Sequence, residues 1–167
     1  ARQLLIEPRK SYNQRELSQI TGLDEGHTSR IVRRLEELNL IVRNDQVALR
    51  SSDPEQLLDA WLEAYAFSQN QIIKVHIAAR SADDLLKRIT KTLAEQQIEY
   101  AATGLSGAWQ YTHFAKFRLV TLYLAEPPGK NLFDGLHFRE DSRGANTWLV
   151  VPNDTGVFHG SSIRDDI

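Results

Sequence analysis

The residues best suited to chemistry are basic and hydroxyl side chains that cluster near the N-terminus. They are Thr28, Ser29, Arg30, Arg33 and Arg34 in one predicted helix, with Arg43 and Arg50 further along the chain. Guanidinium groups pair bidentately with guanine edges and with phosphate oxygens, and hydroxyl groups bind phosphates. The cluster therefore predicts a surface that binds double-stranded DNA.

Two short helices joined by a glycine turn must position this cluster. The first is predicted over Gln14 to Thr21, and Asp24 is a good N-cap for the second. Helical spacing predicts that the second helix buries Thr28, Ile31, Leu35 and Leu38. With that phase Ser29, Arg30 and Arg33 face a DNA groove, Arg34 lies on the flank, and Thr28, Ser29 and the helix N-terminus bind phosphates.

A β-hairpin is predicted directly after these helices. Residues 40–43 and 46–49 are strand-like, and Asn44-Asp45 accepts the positive φ of a tight turn. The hairpin would act as a wing, with Arg43 and Arg50 contacting the DNA backbone or the minor groove. Two helices and a wing predict a winged helix-turn-helix.

The stretch from Ser11 to Arg50, with the run YNQRELSQITGLDEGHTSRIVRRLEELNLI, resembles the MarR-like winged-helix domains of bacterial regulators. A second interpretation stays open. Arg33 and Arg34 lie four and three residues before Glu37, a spacing typical of solvated ion pairs on a helix. Winged helices also serve as protein-interaction modules without DNA binding.

Composition is compatible with a DNA-binding protein of ordinary globular type. Of 167 residues, 41% are hydrophobic and 25% charged, with no cysteine. The first fifty residues carry nine Lys/Arg and seven Asp/Glu, a net charge of +2. No apolar run approaches a membrane span or a signal peptide, so we expect a cytoplasmic protein that does not contact membranes. The chain begins with Ala1 and contains no methionine, so we expect a piece of a longer protein.

Two domains are expected, 1–67 and 72–167. The polar run 68–71 is predicted to be a linker or the end of a connecting helix. Before it, Asp53 and Pro54 start a helix whose apolar stripe comprises Leu57, Leu58, Trp61, Leu62 and Tyr65. That stripe either completes the core of the small first domain or forms a dimer or interdomain contact.

The second half alternates strand-like and helix-like segments, which predicts a mixed α/β domain and an α+β chain overall. Strands are predicted over 73–77, 98–103, 117–124 and 147–151, and helices over 108–113 and after Ser81, with Leu85, Leu86, Ile89 and Leu93 on one face. A tight turn is predicted over 104–107. Its Gly104, Ser106 and Gly107 could bind an anion through backbone amides, although close packing of helix on strand also explains the glycines.

A glycine-serine turn between strand and helix resembles the minimal nucleotidyltransferase fold. In that fold a following strand carries two carboxylates that bind magnesium. Here Tyr123 and Ala125 occupy those positions, and neither side chain can ligate a hard cation. The resemblance therefore implies a degenerate domain that is inactive in nucleotidyl transfer.

The segments YAATGLSGAWQY, VTLYLAE and GANTWLVVPNDTGVFHG resemble the C-terminal part of AbiEi-type proteins. These are the antitoxin and autorepressor components of abortive-infection, type IV toxin-antitoxin systems. The resemblance implies an N-terminal domain that binds promoter repeats and a C-terminal domain that counteracts a nucleotidyltransferase toxin. Such proteins usually continue beyond the position of Ile167, so we expect the second domain to be truncated.

No catalytic signature emerges from the sequence. His76, His113, His137 and His159 are too scattered to form a metal site, and Ser106 lacks the G-x-S-x-G register of a nucleophile. We therefore expect no enzyme activity, no cofactor and no metal. The expected partners are promoter DNA, a cognate toxin and a second copy of the chain. A small-molecule-responsive MarR-like regulator is an alternative function.

Overall fold

A computed structural model of the chain describes residues 1–140 and 143–163. They form an α+β structure whose contacts divide it into two units, Ala1–Ala66 and Phe67–Ile167. The division lies between Ala66 and Phe67, so the polar run 68–71, predicted as a linker or as the end of a connecting helix, falls in the second unit. Phe67–Gln69 forms a short 3₁₀ helix there, and Gln71 begins a strand.

The first unit consists of four α-helices and an antiparallel hairpin. The helices are α1 (Arg2–Ile6), α2 (Gln14–Thr21), α3 (Glu25–Glu37) and α4 (Pro54–Ala64), and the strands are β1 (Ile41–Arg43) and β2 (Leu49–Ser51). Helix α2 has the predicted bounds. It begins at a capping box, in which Asn13 and Glu16 each bond the other's backbone N–H, and it ends at Gly22 with φ 68°.

The core of the first unit gathers apolar side chains from all of these elements. It contains Leu4, Tyr12, Leu17, Val32, Leu40, Ile41, Leu49 and Leu57. The predicted phase of α3 is partly wrong: Leu38 is 48% exposed, whereas Val32, not predicted, is 3% exposed. The buried side of α3 runs through Thr28, Val32 and Leu35, and Leu38 lies off this side. Asn39 then takes a left-handed φ of 57° directly after the helix.

The hairpin is confirmed, but its two-residue turn is wrong. The last paired residues are Arg43 and Leu49, so residues 44–48 form the connection. The Asn44 side chain accepts hydrogen bonds from the backbone N–H of Gln46 and Ala48, at 3.0 and 2.9 Å. This side chain organises a longer loop and delays β2 beyond the predicted 46–49.

Helix α4 begins as predicted. The Asp53 carboxylate accepts a hydrogen bond from the Glu55 backbone N–H at 2.9 Å, and Pro54 occupies the first turn. Leu57 is buried in the core of the first unit. The other residues of the predicted stripe are not buried as Leu57 is: Leu58, Leu62 and Tyr65 are exposed, and Trp61 is half-buried. The helix therefore completes the core through one edge of its apolar stripe.

The described part of the second unit is a five-stranded mixed sheet with three α-helices. The strands are β3 (Gln71–His76), β4 (Tyr100–Thr103), β5 (Val120–Leu124), β6 (Arg139–Glu140) and β7 (Thr147–Val151); the helices are α5 (Ala82–Glu95), α6 (Gly104–Thr112) and α7 (Lys130–Leu136). A second 3₁₀ helix spans Thr155–Phe158. The strand order is β4-β5-β7-β3-β6, with β5 parallel to β7 and the other neighbours antiparallel.

The core of the second unit forms where α5 packs against the sheet. Ser81 caps α5 as predicted, and Leu85, Leu86, Ile89 and Leu93 are all buried. They join Val120, Leu122, Leu124 and Leu149 from the central strands. Strand β7 has the predicted bounds, whereas β3 starts earlier than predicted and β4 and β5 start later.

One prediction for the second unit needs correction, and two of its elements were not predicted. The predicted tight turn over 104–107 is wrong, because these residues are the first turn of α6, which begins at Gly104 with φ 58°. Helix α7 and strand β6 were not predicted. Helix α7 is short and contains Gly135, so its two buried residues, Leu132 and Leu136, give little periodic signal.

Candidate nucleic-acid interface

The α2–α3 pair is held by a turn whose polar groups are internally bonded. The Ser18 hydroxyl donates to the Leu23 carbonyl at 2.6 Å, across the turn that Gly22 makes possible. Asp24 then caps α3 by accepting from the backbone N–H of His27 at 2.8 Å. These bonds fix where α3 begins, and therefore which of its side chains face outward.

The exposed side of α3 carries most of the predicted site. Ser29, Arg30, Arg33 and Arg34 are all exposed. Thr28 is the exception: it is 4% exposed, and its hydroxyl oxygen is buried with no hydrogen-bond partner in the described chain. The Thr28 side chain therefore lies on the core side of α3, on the same face as Val32, where its hydroxyl is not accessible to a phosphate.

Salt bridges divide the arginines of α3 into two groups. Arg33 Nε lies 3.2 Å from a Glu37 carboxylate oxygen, and Arg34 Nη1 lies 3.6 Å from the other. Arg30 makes no salt bridge to any residue in 1–140 or 143–163. Exposed pairs of this kind contribute little stability and exchange readily for other anions. Arg30 is thus the cation of α3 that the fold leaves most available.

Arg30 also shapes the electrostatics at the start of α3. Its Nη1 would lie 3.9 Å from a Cβ built on Gly26, so the guanidinium reaches back towards the first turn. The pKa of Asp24 is held below its ordinary value, chiefly by the His27 backbone hydrogen bond and further by the positive charge of Arg30. The ionised N-cap therefore persists well into mildly acidic solution.

The two hairpin arginines differ in the same way as those of α3. Arg43 makes a two-pronged contact with Glu36, through Nε and through Nη2, the latter at 3.2 Å. Arg50, opposite Val42 in the hairpin, is exposed and forms no salt bridge within the described residues. The hairpin therefore offers one cation bound to α3 and one that faces solvent.

Sequence reasoning missed two residues near this surface. Arg15 on α2 is exposed, with its Nε 4.0 Å from the Glu25 carboxylate at the start of α3. His27 is exposed in the first turn of α3. The signal was available for both, since Arg15 is the second residue of the predicted first helix and His27 lies three residues after the predicted N-cap.

The predicted anion-binding residues Gly104, Ser106 and Gly107 pack within the second unit. Ser106 is 0% exposed, and its hydroxyl donates to the carbonyls of Thr103 and Thr121, at 2.8 and 3.2 Å, while accepting from the Thr121 N–H at 3.0 Å. A Cβ on Gly107 would lie 2.6 Å from the Ala102 carbonyl oxygen. Close packing of α6 on β4 therefore explains Ser106 and Gly107, and the Ser106 hydroxyl is fully engaged by Thr103 and Thr121.

No metal-binding group emerges from the described residues. Among residues 1–140 and 143–163, no three His, Asp or Glu side chains approach closely enough to hold an ion. Tyr123 is buried at the position where the nucleotidyltransferase resemblance requires a carboxylate, and Ala125 follows the end of β5. Those positions offer no ligands for the metal-dependent chemistry of that fold.

Comparison with protein-family models, curated proteins and solved structures yields no match to this chain. In the portion of the chain that the structure describes, no helix has the length and apolar character needed to cross a membrane.

Proposed function

We propose that the first unit binds double-stranded DNA in a sequence-specific manner and that the chain regulates transcription. The observation that carries this proposal is the outward face of α3, where Ser29, Arg30 and Arg33 lie side by side after a capped helix start. An α-helix fits the major groove, and residues in its N-terminal half reach base edges. Arg30 is the residue we assign to base recognition, since no carboxylate of the described chain forms a salt bridge with it.

The contacts around α3 support a docking mode. Helix α2 packs against α3 through the Gly22 turn, and the β1–β2 hairpin follows α3 directly. In this arrangement α3 enters the groove, and Arg50 on the hairpin neutralises a backbone phosphate. Arg33, Arg34 and Arg43 would exchange their carboxylate partners for phosphates on binding.

The second unit has a different role in this proposal. Its polar residues at the β4–α6 junction are bonded internally, and its described residues offer no metal ligands at the positions a nucleotidyltransferase requires. We therefore assign it to partner interaction without catalysis. The resemblance to AbiEi-type antitoxins makes a nucleotidyltransferase toxin the partner to test, and autorepression the regulatory mode.

A protein-interaction module is the second candidate, and one observation favours it. Leu58 and Leu62 on α4 are 42% and 61% exposed, and Tyr65, directly after the helix, is 40% exposed. Such a face suits contact with another protein or with a second copy of the chain. If it is the principal function of the first unit, DNA affinity will be absent while α4 variants alter complex formation.

The deciding experiment is a fluorescence anisotropy titration of the chain with the duplex upstream of its own gene and with a scrambled duplex. We expect preference for the upstream duplex, and affinity that falls about 0.9 log units per log unit of salt for each phosphate contact. Equal affinity for both duplexes would refute sequence-specific recognition. No measurable affinity at about 50 mM salt would favour the interaction module.

A further inference from the structure

Helix α4 presents an apolar ridge on the outside of the first unit. Leu58 and Leu62, one turn apart, are 42% and 61% exposed, although the same helix buries Leu57 in the core. Trp61 lies beside the two leucines, and the Arg2 guanidinium of α1 lies over its ring, 5.5 Å from the ring centre. The fold therefore covers Trp61 with Arg2 and leaves both leucines in contact with solvent.

A row of carboxylates runs along the other side of this ridge. Glu55, Asp59 and Glu63 recur at four-residue spacing on α4, so they lie on one line along the helix, and all three are exposed. Within the described chain none of the three forms a salt bridge. Glu55 lies three residues before Leu58, and Asp59 three before Leu62, so each of these carboxylates neighbours a leucine on the helix surface.

Two of these carboxylates do not help the helix that carries them. Like charges four residues apart on a helix repel each other. Asp59 lies mid-helix, where aspartate is a poor helix former. Glu63 lies in the last turn, where the helix dipole favours cations, and that turn contains no basic residue. Helix stability therefore explains only Glu55, which lies in the first turn, whereas a positively charged partner would explain all three.

The ridge and the carboxylates together restrict what can cover this face. Carboxylates repel nucleic acids and anionic lipid surfaces, because both carry negative charge. Burial of the exposed leucines against apolar side chains is favourable, so a purely ionic partner would leave the ridge uncovered. An antiparallel two-fold pair of α4 helices would place the two carboxylate rows side by side, which disfavours a second copy docked in that way. A protein segment with both apolar and basic side chains meets all of these conditions.

We propose that the outer face of α4 docks a basic amphipathic helix of another protein. Apolar side chains of the partner pack beside Leu58 and Leu62, and Lys or Arg side chains on its flank pair with Asp59 and Glu63. Rows of side chains four residues apart are the ridges along which two helices pack, and both the leucines and the carboxylates form such rows. A contact made by one helix of 11 residues belongs to the weak, transient class. This surface is independent of DNA binding by α3.

The test is a fluorescence titration of the whole chain with the labelled peptide LKALKKALKALKKA, which forms a helix with a leucine stripe flanked by lysines. Two matched peptides separate the contributions. LEALEEALEALEEA keeps the stripe and reverses the charge, and LKLKLKLKAKAKAA keeps the composition but disperses the leucines around the helix. We expect saturable binding of the first peptide and at least about tenfold weaker binding of the other two. Equal affinity of the lysine and glutamate peptides, or no binding of the lysine peptide at about 1 mM, would overturn the proposal.

Substitutions locate the contact on α4. Leu62→Ala should weaken binding of the lysine peptide about tenfold, whereas Leu105→Ala, at a leucine of α6 that is also 61% exposed, should leave it unchanged. Asp59→Asn should weaken binding about threefold, and added salt should reduce this difference. Glu126→Gln, which removes an exposed carboxylate after β5, is its control. Equal effects of the α4 variants and their controls would show general attraction to an acidic protein and contradict the docking site.

Two further measurements distinguish the other outcomes. Sedimentation equilibrium that shows a dimer dissociated by Leu62→Ala would assign this face to a second copy and overturn the basic partner. Failure of the DNA proposal has a different signature: duplex affinity would be absent, while peptide binding would keep its dependence on Leu62 and Asp59.

Discussion

The starts of α3 and α6 contain similar residues that face opposite ways. Gly22 lies in the turn before α3 and Gly104 is the first residue of α6, and both glycines take a positive φ. Both helices also carry a serine within their first five residues. Ser29 on α3 is exposed beside arginines, whereas Ser106 on α6 is 0% exposed and hydrogen-bonded to Thr103 and Thr121. A glycine and a serine near the start of a helix therefore do not distinguish a binding site from a packing contact. The two cases are distinguished by whether the neighbouring polar groups face solvent or are hydrogen-bonded inside the fold.

Among the variants that test this comparison, Gly107→Ala is expected to change the free energy of unfolding most. The added Cβ would overlap the Ala102 carbonyl oxygen at 2.6 Å, and backbone atoms cannot move aside cheaply. We expect a loss of up to about 3 kcal/mol in the free energy of unfolding. Urea denaturation measures it, with Gly129→Ala as control, because a Cβ at Gly129 meets no atom within 4 Å. Similar stability of both variants would contradict close packing at the start of α6.

Replacing the two serines separates their roles. Ser106→Ala removes the hydroxyl that bridges Thr103 and Thr121, so we expect a loss of about 1–3 kcal/mol in stability. Ser29→Ala should change stability by less than about 0.5 kcal/mol but weaken binding to the upstream duplex. Thermal unfolding and anisotropy on both variants test this. A Ser29→Ala chain that loses stability and keeps DNA affinity would break the comparison.

The stability of the first unit is expected to depend on pH through the hydrogen bond between Tyr12 and Glu7. The Tyr12 hydroxyl donates to the Glu7 carboxylate at 2.7 Å, and this bond holds the pKa of Glu7 below its ordinary value. The stabilisation is therefore present above about pH 4, where an unfolded glutamate ionises, and is lost as pH falls through the lower folded pKa. Tyr12→Phe should lower the Tm at neutral pH, and the difference should narrow in acid. A difference that is constant with pH would contradict this role of Glu7.

The smallest expected effect is on the salt dependence of DNA binding when either arginine of the hairpin is replaced. Arg50 faces solvent without a salt bridge in the described chain, whereas Arg43 is bound to Glu36. Arg50→Ala should reduce the salt slope of DNA binding by about one phosphate contact, with little change in sequence preference. Arg43→Ala should change the slope less, since Arg43 must first leave Glu36. A larger change in salt slope for Arg43→Ala than for Arg50→Ala would show that Glu36 positions Arg43 for DNA.

The parts of the fold that the sequence predicted are those with local chemical signals. Helix α2 and helix α5 have capping residues at Asn13 and Ser81, and strand β7 is a continuous apolar run. The hairpin loop was missed because the Asn44 side chain organises five residues, with Val47 at a φ of 63° that β-branched residues seldom adopt.

The candidate site was predicted in part for a related reason. Helical periodicity placed Ser29, Arg30 and Arg33 outward, but it also made Thr28 both a core residue and a phosphate ligand, and only the first role fits the structure. Ion pairing with Glu37 follows from spacing. The pairing of Arg43 with Glu36 does not, because it depends on how the hairpin folds back on α3.

The most direct test of the account is the DNA affinity of Arg30→Ala, measured against single-base variants of the upstream duplex. Arg88→Ala, which removes an exposed cation from α5, is the matched control. We predict that Arg30→Ala costs about 1–3 kcal/mol and loses discrimination at one base position, while Arg88→Ala has no effect. Unchanged affinity and unchanged base preference in Arg30→Ala would contradict the assignment of α3 as the recognition helix.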